Sequence, residues 1–163
     1  MRVYLPMTLP ALAAALAAGS VESPVAYAVT PALREWYAEG DQEELEYVAT
    51  TAAAKASLRR LVGAEDVARR VVLAADVPDP AARPAPDLDR AAVRLADPVT
   101  LSQVVSALVD DPAATADVRR GAAALAAAEA GDDDASFVVD SVEDHELGWY
   151  AVQELPALVA VES

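Results

Sequence analysis

The only histidine of the chain stands in the run Glu143-Asp144-His145-Glu146, and acid–base or metal chemistry would have to start there. An imidazole does such work when a carboxylate orients it and it faces a pocket. With no second histidine and no cysteine, a tight transition-metal site would rest on carboxylates and one imidazole. The plainer reading places Glu143 or Asp144 at the amino end of a helix, where a carboxylate favours the dipole. His145 is then a structural or capping residue. Just upstream, Asp132, Asp134, Asp140 and Glu143 fall at the first, third, ninth and twelfth places of a calcium-loop register. The sixth place, which needs glycine for the sharp turn, is Phe137, and the fifth is Ser136, so the carboxylates cannot converge on one ion. No metal site and no cofactor is expected.

Other reaction chemistries lack their parts. The six glycines form neither GxGxxG nor GxxxxGK(S/T), so no phosphate loop is present. Ser20, Ser102, Ser106 and Ser141 have no Gly-x-Ser-x-Gly elbow around them. Glu43 and Glu44 are adjacent and diverge on a helix, which does not suit a glycosidase pair. No catalytic residue is assigned, and the chain leans away from enzymes.

Binding chemistry has better material. The two tryptophans stand in Arg34-Glu35-Trp36-Tyr37-Ala38 and Leu147-Gly148-Trp149-Tyr150-Ala151, each followed by a Gln-Glu stretch. Tryptophan buries a large area per residue, so in a core with a single phenylalanine both indoles are natural space-fillers. The sharper reading has them meeting at the junction of two related halves. Glu39, Glu43, Asp144, His145 and Glu146 would then border Trp36, Tyr37, Trp149 and Tyr150 on one surface. Such a surface receives Arg or Lys by ion pairing and cation–π contact.

Charge supports that reading and excludes others. Formal net charge is −15 at pH 7, and from Gly121 onward there are ten acidic residues and no Lys or Arg. This surface repels phosphate backbones, so neither nucleic acid nor an anionic membrane is an expected partner. The bland alternative is a solvated face that keeps the protein soluble. Absence of cysteine points to a reducing compartment. Arg2 and the Ala/Leu run after it imitate a secretory signal, but Pro6, Thr8 and Pro10 interrupt the apolar region. The expectation is a cytoplasmic protein with no membrane span.

The elements that must position these residues follow from periodicity and caps. Val3–Leu5 reads as a strand, and Leu9–Ala18, with leucines three and four apart, as a helix closed by Gly19. Val25–Val29 is a second strand. Thr30 caps a short helix with Pro31 at its first position. Asp41 and Glu44 open a long helix in the manner of a capping box, with Leu45, Val48, Ala52, Ala56 and Leu61 inward, up to Gly63. Arg70–Ala74 is a buried strand, residues 78–86 a proline-rich loop, and Ala92–Leu95 a further strand. Thr100 and Gln103 form a capping box, after which Ser106–Val109 is favoured as strand over helix. Val118–Ala128 is helical, Phe137–Val139 strand or helix, and His145–Val159 a terminal helix with Trp149, Val152 and Leu155 on one side.

This alternation implies an α/β or α+β layered domain over 1–163, with about five strands covered by helices. It allows two degenerate βαβα pseudo-repeats, about 1–77 and 91–163, with right-handed parallel crossovers. The runs Met1-Arg2-Val3-Tyr4-Leu5-Pro6, Ala28 to Tyr37, Val72 to Pro78 and Glu143 to Leu147 resemble an uncharacterised family of small acidic actinobacterial proteins, a domain of unknown function. The resemblance implies a cytoplasmic bacterial protein and carries no activity, cofactor or site. The sequence therefore points first to a non-enzymatic interaction module for a basic protein partner. The alternative is a small-molecule-binding protein or enzyme with a pocket using Asp144, His145 or Glu146.

Overall fold

In the computed structural model, residues 1–63 and 67–161 are described. The chain runs β1 (Arg2–Met7), α1 (Leu9–Ala18), β2 (Ser20–Val21), β3 (Val25–Tyr27), α2 (Pro31–Trp36), α3 (Gln42–Arg60) and β4 (Val71–Asp76). It continues with β5 (Ala82–Pro84), β6 (Ala92–Leu95), β7 (Val99–Thr100), β8 (Val104–Asp110), α4 (Thr115–Glu129) and α5 (Asp133–Val142). It closes with β9 (Leu147–Ala151) and α6 (Leu155–Val161). Seven strands form one sheet in the order β5-β6-β3-β1-β4-β8-β9, and β2 pairs with β7 apart from it. Neighbouring strands are antiparallel throughout. The architecture is α+β, and the parallel crossovers expected from the sequence are replaced by antiparallel pairing.

Side chains alternate across the sheet because the strand repeat is two. Along β1, Val3, Leu5 and Met7 enter one core with Leu9, Leu12 and Ala15 of α1 and Leu155 of α6. Tyr4 faces the other way, among Leu33 of α2 and Leu45, Ala49, Ala53 and Ala54 of α3. Alanine on the inner side of α3 lets that helix lie close to the strands. A third core joins Leu58 and Leu61 to Val118, Ala122 and Leu125 of α4 and to Val139 and Val142 of α5. Each large aliphatic side chain buried in this way contributes about 1.5–3 kcal/mol. Gly121 is required where α4 and α5 meet, since an added Cβ would overlap Cγ2 of buried Val142.

The Thr30 and Asp41 caps form as the sequence implies, and Thr8 adds one that the sequence reading did not name. Thr8, Thr30 and Asp41 accept from the backbone N–H three residues on, at 3.2, 3.1 and 2.8 Å. Gly19 closes α1 at φ 85°, a left-handed conformation that favours glycine. Gln103 Oε1 accepts from Thr100 N at 2.9 Å. Buried Ser57 of α3 ties helix to sheet. Its Oγ donates to Met7 O at 2.7 Å and accepts from Val71 N at 3.0 Å, at the end of the β1–β4 ladder.

Two local expectations change, and one left open is decided. The segment after His145 is not one helix: Leu147–Ala151 pairs with β8, and Pro156 falls in the first turn of α6. Within the proline-rich 78–86 segment, Ala82–Pro84 pairs with β6 as an edge strand. Phe137–Val139 lies in helix α5, capped by Asp132.

Burial raises the phenol of Tyr4, reinforced by the nearby Glu46 carboxylate, and burial raises that of Tyr27, reinforced by Asp89. Groups held neutral in this way contribute stability that is fully present below the ordinary phenol value of 10.0. It is lost as pH rises through the raised folded-state values. Denaturant midpoints should therefore fall in strongly alkaline buffer. Tyrosinate absorbance should show two of the five tyrosines titrating late and together with unfolding.

Candidate functional site

The surface over the last two strands is built from an unfilled place in the helical layer. Helix α3 covers β1, β3 and β4, while α4 and α5 pack on its carboxyl end. The same face of β8 and β9 is left open. Leu108 and Leu147 floor a trough there, walled by Tyr47, Thr50, Thr51 and Ala54 of α3 and by Glu143, His145 and Glu146. Its volume is about 220 Å³. Register places Trp149 opposite Leu108 and two residues from Leu147, hence on the same face and beside the trough; it is 65% exposed.

A buried ion pair anchors this end of the sheet. Arg70, just before β4, and Asp110, at the end of β8, have side chains only 5% and 0% exposed. Arg70 Nε donates to Asp110 Oδ2 at 2.9 Å and Nη2 to Oδ1 at 2.8 Å. The Arg70 backbone N–H also donates to Oδ2, at 2.8 Å. Such a pair costs desolvation, so its geometry must be good to be tolerated; here both carboxylate oxygens are engaged side-on. Arg70 Nη2 further donates to the His145 carbonyl at 3.0 Å, fixing the turn between α5 and β9. Arg69 Nε donates to Asp110 O at 2.8 Å.

His145 is committed within this framework. Its Nε2 lies 2.8 Å from Asp117 Oδ2 of α4, and Asp117 also pairs with Arg120. The histidine thus ties the α5–β9 turn to α4, in keeping with a structural role. Among the described residues, no cluster of three or more acidic or histidine side chains is arranged to hold a metal ion.

The residues singled out in the sequence divide into separate places. Glu146 and His145 line the trough, while Asp144 is exposed on the turn outside its lining. Tyr37 and Glu43 line a neighbouring hollow of about 520 Å³ with Asp41, Glu44 and Tyr47. Tyr47, in the second turn of α3, borders both concavities. Glu39 is exposed in the turn between α2 and α3.

Trp36 is elsewhere. It ends α2, 61% exposed, with the Arg90 guanidinium 3.5 Å from its ring centroid. It lines a third hollow with Glu35, Pro86, Leu88 and Asp89. The strand after Arg90 is β6, five strand spacings from β9, or roughly 24 Å across the sheet. The two indoles therefore neither fill the core nor meet. Tyr150 points to the opposite face of the sheet from Trp149 and packs against the first core.

Sequence reasoning passed over Arg70, Asp110, Tyr47 and Leu108. A signal for the ion pair exists: Arg69-Arg70 opens one apolar run and Asp110-Asp111 closes another. Antiparallel pairing brings those ends together.

No candidate membrane-crossing helix occurs among the described residues. Comparison with curated proteins and with solved structures finds no match. The profile of a family of unknown function (DUF6912) matches residues 1–159, and the chain belongs to that family.

Proposed function

We propose that this protein is a cytoplasmic, non-enzymatic recognition module. It binds a basic protein segment on the face formed by α3, the 143–147 turn and β9. One observation carries the reading. Exposed Tyr47 lines an apolar-floored trough rimmed by Glu143 and Glu146, and exposed Trp149 stands across from the floor residue Leu108 in the β8–β9 register. Exposed aromatics beside carboxylates match the aliphatic stems and cationic ends of Arg and Lys. The hollow beside it adds Tyr37, Asp41, Glu43 and Glu44, extending the same chemistry along α3. With no Lys or Arg after Arg120, the potential over this end is negative, which steers cations and repels nucleic acid.

Catalysis is less well supported. The one imidazole has its Nε2 at Asp117 and its backbone carbonyl at Arg70. At about 220 Å³ the trough also lies below the usual range for small-molecule sites, while one or two residues of a peptide suit it.

Calorimetry with short peptides alternating Arg or Lys with apolar residues tests the reading. Basic peptides should bind, and affinity should fall as salt is raised. Glu143→Gln together with Glu146→Gln should weaken binding about tenfold, since each rim pair contributes at most about 1 kcal/mol. Equal binding of acidic and basic peptides, or no binding of either, would overturn it.

A further inference from the structure

We infer that the trough holds, beside its apolar floor, a hydrogen-bond donor subsite for a main-chain amide carbonyl, formed by the free edge of the Arg70 guanidinium. The inference rests on the proposal that this face takes a basic segment, and it names the group of that segment that is held.

A guanidinium carries five N–H donors. In Arg70, Nε and Nη2 are engaged by both Asp110 oxygens and by the His145 carbonyl. Nη1, with two N–H groups, has no partner among the described residues. Among the described residues no enclosed side-chain nitrogen or oxygen lacks a hydrogen bond, so Nη1 must be reached by solvent. Arg70 lines the trough, and with a side chain 95% buried it meets solvent there. The site is thus a nearly buried cationic group, locked on two edges and open on the third. Thr51, on the wall, offers a hydroxyl with no hydrogen bond to another described residue.

Charge decides which acceptor fits. Asp110 already neutralises Arg70, and Glu143 and Glu146 add negative potential at the rim. A carboxylate or phosphate entering there meets net repulsion. A neutral amide oxygen keeps the directional hydrogen bond without it, and a cationic side chain on the same residue reaches the rim. Leu108, Leu147 and Ala54 supply apolar surface for the stem between them. The bound unit is an internal Arg or Lys residue, held by its carbonyl below and its charge above.

The test compares N-acetyl-arginine amide with an alkylguanidinium of the same length lacking the amide, using protein with nitrogen-labelled arginine. The amide compound should bind about tenfold more tightly, the gain from a hydrogen bond to a charged group. It should shift the Arg70 side-chain resonances, which the alkylguanidinium should leave in place. N-acetyl-arginine with a free carboxylate should bind no better than the amide. Thr51→Leu, which fills the trough from a half-buried position of α3, should abolish the difference and leave the protein folded. Equal affinity of the first two compounds, an unmoved Arg70 signal, or tighter binding of the free acid would overturn the subsite. If these occur while longer basic peptides still bind in a salt-dependent way, the recognition reading stands without it. If no basic peptide binds, both fail.

Discussion

Replacing Arg70 with methionine should lower the unfolding free energy by about 3–5 kcal/mol, because it leaves the Asp110 carboxylate buried and unpaired. Asp110 is fully enclosed and its oxygens accept three hydrogen bonds from Arg70, two of them from the guanidinium. The penalty belongs to the stranded charge more than to the lost attraction. The double variant Arg70→Met, Asp110→Leu should therefore recover most of the loss, since a buried ion pair is often worth little against apolar residues of similar volume. Urea denaturation of the two variants measures this directly. A single variant as unstable as the double one would show that packing, not unpaired charge, sets the cost. The Arg70–Asp110 pair also holds the His145 carbonyl, so the single variant should loosen the 143–147 turn before the rest of the chain.

A second large loss is expected from Ser57→Ala, about 2–4 kcal/mol. One buried hydroxyl serves Met7 O and Val71 N together, and each buried polar group left without a partner costs about 1–3 kcal/mol. These two groups belong to paired residues at the end of the β1–β4 ladder, in the middle of the sheet. Amide exchange at Val71 should quicken in the variant by more than the global change in stability. Exchange that rises uniformly along β4 would mean that the hydroxyl does not close the ladder.

Much of the fold was legible because its signals are local. Leu9–Ala18 coincides with α1, whose leucine spacing and Gly19 terminus are written in the chain. Ala92–Leu95 coincides with β6, and the Thr100–Gln103 box is formed. Trp149 shows where local signals stop. Its spacing to Val152 and Leu155 fits a helix face, while Leu147 and Trp149, alternating with Gly148 and Tyr150, fit a strand. Pairing with β8 decides for the strand, and that partner lies about forty residues upstream.

The candidate site was legible only in part, for the same reason. Glu146 and His145 stand beside the trough because the turn before β9 places them there. Arg70, just before β4, and Tyr47, on α3, reach it at distances in sequence that no motif spans. The echo between Arg34-Glu35-Trp36-Tyr37 and Leu147-Gly148-Trp149-Tyr150 is one of wording. The first segment ends a helix and the second is an edge strand, so similar residues acquire unrelated neighbours.

The indole N–H signals of Trp36 and Trp149 give the most direct test of the recognition surface, because the two lie at opposite ends of the sheet and report separately. On titration with a basic peptide in a proton–nitrogen correlation spectrum, the Trp149 signal should move in step with the backbone signals of Tyr47 and Glu146. The Trp36 signal, under Arg90, should stay where it is. Movement of Trp36 alone, or of neither indole at saturating peptide, would contradict the assignment of recognition to the open face of β8 and β9.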